Sequence, residues 1–397
     1  MYILTGLLTA AVWGCSFGGE TETGQTAAGQ TAAGQTAAGQ AASRPQAKNW
    51  EEEAVSRSME LLYADQFSVD YYEDGCALIT VRDTGRYLVV PEHGQAPQGL
   101  PDDVTVIKQP LKNIYLAATS AMDLFRGLDC VNRITLTGTD ASGWYIEEAR
   151  KALEEGRMSY AGKYNAPDYE LILSKSCDLA IESTMIYHSP EIKEKLEKLG
   201  IPVFVERSSY ESHPLGRMEW LKLYGVLMGR KELAESIVEE QMKQVAEVMD
   251  QAPADKTAAF FYISSNGYVN VHKSKDYVAK MIELAGGTYI PQDLGENQNA
   301  LSTMNMQMEA FYAAAKDADY IIYNSAIDGE LRSLDELLAK SRLLADFKAV
   351  KEGHVWCTGK NMFQETMGFG GMILDINRML TEEDPDPSEM NYIYPLK

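Results

Sequence analysis

The spacing of apolar residues along this chain changes period from one segment to the next, and each period predicts a different element. From Cys76 to Gly94, CALITVRDTGRYLVVPEHG sets two β-rich runs about an Asp-Thr-Gly turn, the pattern of a hairpin. Beyond it short apolar runs alternate with helical patterns. IYLAAT (114–119), RITLTG (133–138), CDLAIES (177–183) and IPVFVE (201–206) predict strands. SAMDLFRGL predicts a short helix capped by Ser120, WYIEEARKALEEG (144–156) a second, and SPEIKEKLEKLG (189–200) a third, with Pro190 near its start and Gly200 at its end. The alternation restarts after residue 256. There TAAFFYIS (257–264), DADYIIYNS (317–325) and EGHVWCTG (352–359) read as strands and DYVAKMIELAGG (276–287) as a helix. Strand alternating with helix predicts mostly parallel sheets with helices on both faces.

Between the two alternating halves lies one long helical pattern. Ala234, Val238, Met242, Val245 and Met249 fall on one face, while Glu235, Glu239, Lys243 and Glu247 fall away from it. From Lys231 to Gln251 such a helix is about 30 Å long, enough to cross from one lobe to another. The expected architecture is therefore α/β: two Rossmann-like lobes joined by one long α-helix, with a ligand cleft between them. The boundaries read as an N-terminal lobe over 50–230, a backbone helix over 231–252 and a C-terminal lobe over 253–397.

The first 49 residues follow another logic. Residues 3–14, ILTGLLTAAVWG, form an apolar run too short for a stable membrane span and suited to a signal-peptide core, here assigned to residues 1–14. No Lys or Arg precedes the run, where signal peptides normally carry positive charge. The stretch VWGC resembles a bacterial lipobox, which implies lipidation at Cys15. After it the chain repeats TAAGQ, without large apolar residues, so residues 15–49 read as a disordered tether. About 35 residues of flexible coil reach roughly 30–35 Å.

Composition narrows the partners. Of 397 residues, 36 are Lys or Arg and 58 Asp or Glu, a formal charge of −22, which repels phosphate backbones and argues against nucleic acid. Five cysteines (Cys15, Cys76, Cys130, Cys177, Cys357) lack the spacing of a zinc module or a disulfide framework. The densest chemistry is SSYESHPLGRMEW (208–220), with Tyr210, Glu211, His213 and Arg217 close together. Hydrolysis fits poorly: no G-x-S-x-G elbow occurs, and Ser209, Glu211 and His213 at alternating positions of an extended stretch cannot form a triad. The chain is not expected to be an enzyme.

The order of parts from about residue 76 onward resembles the substrate-binding lipoproteins of ABC importers for iron–siderophore complexes, haem and corrinoids. The matching stretches are the hairpin, PLKNIYLAATSAMDLFRGLDCVNRI, APDYELILSKSCDLAI, EKLEKLGIPVFVE, the long helix after Gly-Arg-Lys-Glu, and AVKEGHVWCTG. The resemblance implies a monomer with no cofactor of its own, tethered outside the bacterial cell membrane by the N-terminal lipid alone. Its partners would be a permease and an ATPase, and its ligand a metal chelate or tetrapyrrole. It implies docking on the permease through Glu170 in the first lobe and Glu309 in the second.

The ligand is expected at the carboxyl ends of the strands, where loops of both lobes converge. Those loops nominate Trp144, Tyr145, Tyr187, Arg207, Tyr210 and Arg217 from the first lobe, and Tyr268, Asn361 and Met362 from the second. Aromatic rings suit a large ring or chelate shell, and the arginines suit anionic groups. His213 is the metal candidate, and with Tyr210 and Met362 an axial-ligand candidate for haem iron. The competing readings are a carrier of bare zinc or manganese, for which His188, His213 and His272 would converge, and a surface sensor or adhesin of the same fold.

Overall fold

The computed structural model describes residues 49–292 and 302–397. The signal peptide, the TAAGQ tether and the Cys15 lipidation site lie outside the described residues, apart from Asn49 at the tether's end. Three sheets organise the folded chain. The hairpin forms as expected from Ala77–Val81 and Gly85–Val90, but inside a five-stranded mixed sheet that also takes Val55–Ser58, Phe67–Tyr72 and Val104–Lys108.

The second sheet is all parallel, in the spatial order Val203–Glu206, Leu179–Ser183, Ile114–Leu116, Ile134–Thr137, Ser159–Tyr160. The third sheet is mixed and has seven strands. Thr257–Ile263, Tyr320–Tyr323 and Val355–Thr358 run parallel at its centre. Val269–His272 and then Thr303–Met306 continue one side antiparallel, Thr288–Ile290 pairs with the start of Thr257–Ile263, and Ile393–Pro395 closes the other edge. Every residue of Ile114–Leu116, Tyr320–Tyr323 and Val355–Thr358 is buried, as central strands covered on both faces require, and Val203–Glu206 is fully buried too although it lies at a sheet edge.

The helix Pro214–Met228 joins the first lobe to the long helix Lys231–Met249. The first is buried over most of its length and stops at Gly229, whose φ of 66° is the left-handed conformation that ends helices. The two helices then turn back on one another so closely that a Cβ on Gly225 would stand 2.6 Å from that of Ala234. Lys231–Met249 packs on Pro214–Met228, on Tyr277–Leu284 and on Phe369–Thr381. One continuous core therefore holds Phe125 and Leu221 of the first lobe, Val238 and Val245 of the long helix, and Ile282, Phe369 and Ile376 of the second. The outer faces of the two sheets have separate cores.

Two local expectations change. Val248, not Met249, completes the buried stripe of the long helix, and Met249 is exposed. At about 100° per residue Val248 lies about 40° from the direction of Ala234 and Met249 about 60°, so the shorter step keeps closer to the core. Ser120 does not cap a helix. It sits in a 3₁₀ turn and donates its hydroxyl to Glu206 Oε2 at 2.9 Å, and the helix Met122–Gly127 starts without a side-chain cap.

Candidate functional site

SSYESHPLGRMEW leaves the carboxyl end of strand Val203–Glu206 and enters the helix at Pro214. Its acidic residues hold backbone rather than ligand. Glu211 accepts hydrogen bonds from the amides of Asp65 and Gln66 and from Trp220 Nε1, each at 3.0 Å. Glu219 accepts from the amides of Leu62, Tyr63 and Ala64 at 2.8–2.9 Å. Together they fasten residues 62–66 to the helix, a use of buried carboxylates that satisfies both the charge and the amides. Burial raises the Glu211 pKa, against the lowering by the amides and the indole it binds.

His213 is a correction to the expected metal or axial ligand. Its Nδ1 accepts from the Leu215 amide at 3.3 Å, capping the helix, and its ring stacks on Tyr63 with centroids 4.2 Å apart. Burial pushes its pKa down to about 4, so the ring is neutral and committed to packing. Among the described residues no three His, Cys, Asp or Glu side chains cluster as a metal site would need.

The two arginines of this region part company. Arg207 has partners within its own lobe: its Nε donates to Gln66 Oε1 at 2.8 Å, its Nη2 pairs with Asp83 at 3.1 Å, and its guanidinium lies 4.3 Å from the Tyr210 ring centroid. It is neutralised by the hairpin turn. Tyr187 joins the same group by donating to the Thr84 carbonyl at 3.4 Å, while Tyr210 accepts from Thr184 Oγ1 at 3.3 Å. The rings of Tyr187 and Tyr210 stay exposed.

Arg217 faces the other way. Its Nε donates to the Glu211 carbonyl at 3.0 Å and its Nη2 to the Ser209 carbonyl at 2.7 Å, while its guanidinium lies 3.6 Å from the ring centroid of Tyr277 in the second lobe. Backbone carbonyls orient this cation, and no carboxylate among the described residues comes within ion-pair distance of it. It lines a cavity of about 250 Å³ together with Tyr262, Asn270, His272, Asn324 and Phe363 of the second lobe. His272 is fixed there: its Nδ1 contacts the Asp276 carboxylate, its ring meets Phe260 and Tyr277 edge to face, and its carbonyl accepts from Tyr289.

Trp144 and Met362, expected in the cleft, are core residues with 2% exposure. Trp144 also donates its indole N–H to the Thr139 carbonyl at 3.2 Å, so neither side chain presents a free face to a ligand. Asn361 is half-buried in a turn, its carbonyl accepting from the amides of Gln364 and Glu365. Tyr145 and Tyr268 are exposed. Glu170 and Glu309 are both exposed in the first turns of the helices Tyr169–Ser174 and Met308–Ala315.

The sequence reading does not nominate Asn270, Tyr277 or Phe363 as ligand contacts. Asn324 carried a usable signal, since it directly follows the strand Tyr320–Tyr323. Asn270 carried none, because it sits inside an antiparallel strand that a parallel α/β pattern does not predict, and His272 on the same strand entered only as a candidate ligand for a bare metal ion.

Two lobes, a long helix packed between them and a cavity at their junction define a two-lobed solute-binding fold. A profile of the periplasmic binding protein family matches residues 131–362, more than half of the chain, and the chain belongs to that family. Its curated relatives include Uncharacterized lipoprotein MJ0878 of Methanocaldococcus jannaschii, 25% identical over 69% of this chain and 66% of its own length. Uncharacterized lipoprotein MJ0872 of the same organism is 22% identical over 84% of this chain and 86% of its own. Among solved structures, the periplasmic heme binding protein HutB of Vibrio cholerae superposes with a TM-score of 0.55 at 16% identity, covering 66% of this chain and 98% of that one. The periplasmic catecholate-siderophore binding protein VctP of Vibrio cholerae gives 0.53 at 13% identity, over 68% and 94%.

Proposed function

We propose that this chain is the extracytoplasmic, lipid-anchored substrate-binding component of an ABC importer, and that it captures an anionic metal chelate or tetrapyrrole. The observation that carries the ligand class is Arg217, a cation oriented by two carbonyls and facing a cavity between the lobes without a carboxylate partner. Such a group stabilises an anion that brings the missing charge, and the fixed fork costs little ordering entropy on binding. Exposed Tyr145 and Tyr268 on loops, and Tyr187 and Tyr210 in short 3₁₀ turns, would offer aromatic faces to the ligand's bulk. Structural neighbours named for haem and catecholate-siderophore binding support the same class.

Capture is binding only, with no bond made or broken, and Glu170 and Glu309 dock the loaded protein on a permease whose ATPase drives transport. VWGC with Cys15, and relatives described as lipoproteins, support the lipid anchor. No helix among the described residues is long and apolar enough to cross a membrane. Native mass spectrometry and absorbance of protein purified from the source cells test the ligand class. A co-purifying chelate or chromophore is the expected result. Failure to bind haemin or any ferric siderophore at micromolar concentration overturns the reading.

A further inference from the structure

A cavity of about 250 Å³ is smaller than the roughly 300–1,000 Å³ of ordinary small-molecule sites. It admits an anionic head group, and a whole chelate would extend from its open mouth along the cleft between the lobes. Beside the shared core and the Arg217–Tyr277 contact, one segment carries polar contacts between the lobes. Between strand Val355–Thr358 and helix Phe369–Thr381, the chain of the second lobe reaches across to the first at several points. Met367 donates its amide to Asp123 Oδ2 at 2.7 Å, where Asp123 is fully buried and also pairs with Arg126. Thr366 donates its hydroxyl to the Ser120 carbonyl at 3.2 Å. These two contacts adjoin the shared core, and breaking the first would leave the buried Asp123 carboxylate with Arg126 as its remaining partner.

Gln364 makes a different kind of contact. Its Nε2 donates to the Gly143 carbonyl at 2.8 Å and its Oε1 accepts from the Tyr145 amide at 2.8 Å. One primary amide thus pairs with the backbone on both sides of Trp144, as a neighbouring strand would. Gly143 and Gln364 are half-buried and Tyr145 is exposed, so water can replace both bonds when the lobes separate. Phe363, the residue beside it, lines the cavity.

We propose that Gln364 is a releasable latch between the lobes: it closes the cleft, positions Phe363 and Tyr145 against the ligand, and opens while Met367 and Asp123 act as the fixed pivot. The proposal rests on the reading that this cavity seats the ligand. Only a side chain with both a donor and an acceptor, at glutamine's reach, satisfies both backbone groups. Gln364→Glu keeps the size and the acceptor but turns a carboxylate oxygen toward the Gly143 carbonyl, so it should fail as Gln364→Ala does.

The test measures the latch with and without ligand. Hydrogen exchange of the Tyr145 amide, and the distance between spin labels placed by Lys175→Cys and Asp317→Cys on exposed positions of the two lobes, report opening directly. Stopped-flow release of haemin and of an anionic ferric tris-catecholate reports residence. Gln364→Ala and Gln364→Glu should each speed Tyr145 exchange and probe release by about tenfold, as expected for the loss of two partly exposed hydrogen bonds, and leave the melting temperature nearly unchanged. Unchanged exchange and inter-lobe distance in Gln364→Ala, or full retention of both by Gln364→Glu, overturns the latch. If the unaltered protein binds neither probe, the ligand reading fails, while exchange and distance still decide the latch.

Discussion

Arg217 of the first lobe lies on the ring of Tyr277 in the second, with the guanidinium carbon 3.6 Å from the ring centroid. The contact crosses the cleft at the base of the cavity, so the same side chain joins the lobes and offers charge to a ligand. Burial raises the pKa of Tyr277, so its hydroxyl stays protonated at physiological pH. A neutral aromatic face beside an oriented cation is a stable pair, worth about 0.5–2 kcal/mol.

Replacing Arg217 by Lys separates these roles. Lysine keeps the charge but not the planar fork that reaches the Ser209 and Glu211 carbonyls. Affinity for an anionic chelate should fall by about tenfold to a hundredfold, from the loss of about 1.5–3 kcal/mol in a charge-assisted contact. Thermal stability should drop by only about 1 kcal/mol. Calorimetric titration beside a melting curve checks both. A drop in stability with no change in affinity would show that Arg217 serves packing alone.

The junction of the two long helices depends on the absence of a side chain. Gly225→Ala would place a Cβ 2.6 Å from that of Ala234 and 3.1 Å from the Arg230 carbonyl, closer than van der Waals contact allows. The helices must then part, at a cost of about 1–3 kcal/mol. Urea denaturation should show the loss, and adding Ala234→Gly should restore part of it by removing one of the two clashes. Equal stability of the single variant and the parent would mean that the helices already sit further apart.

Much of the fold was legible because its central strands are continuous apolar runs. Ile114–Leu116 and Tyr320–Tyr323 are buried on both faces, so their sequence announces them. Val55–Ser58 is exposed throughout and Phe67–Tyr72 mixes polar with apolar residues, so neither stands out without its hairpin partner. The site was harder. Arg207 and Arg217 look alike in sequence, and only the fold brings Asp83 to one and Tyr277 to the other. Trp144 and Met362 were expected to face a ligand from their loops, but both turn into the core that the two lobes share.

Glu182 makes stability depend on pH in a direction unusual for a carboxylate. Both its oxygens are buried without a hydrogen-bond partner, and burial raises its pKa to about 8. The folded state therefore keeps a proton that the unfolded state releases near pH 4.5. Its contribution is fully present below pH 4.5 and is lost as pH rises toward 8. Replacing Glu182 by Met should remove this component, flattening the decline in unfolding free energy between about pH 5 and pH 8 by several kcal/mol at most. Parallel slopes in the two proteins would show that water reaches the carboxyl group.

In the proposed function, Glu170 and Glu309 serve a different step from ligand capture. Each stands exposed in the first turn of a helix, one in each lobe, where the helix dipole favours a negative charge but gives only about 0.3–1 kcal/mol. Neither lines the cavity. The double replacement by Ala should therefore leave ligand affinity and melting temperature close to those of the parent, while uptake of the labelled ligand by cells falls to background. A single replacement should retain partial uptake, since the other lobe still offers its charge to the permease. Restoring uptake by reversing the charges, with Arg at both positions and Glu at the facing permease arginines, would establish the contact as electrostatic. Normal uptake by the double Ala variant would place docking on another surface of the two lobes.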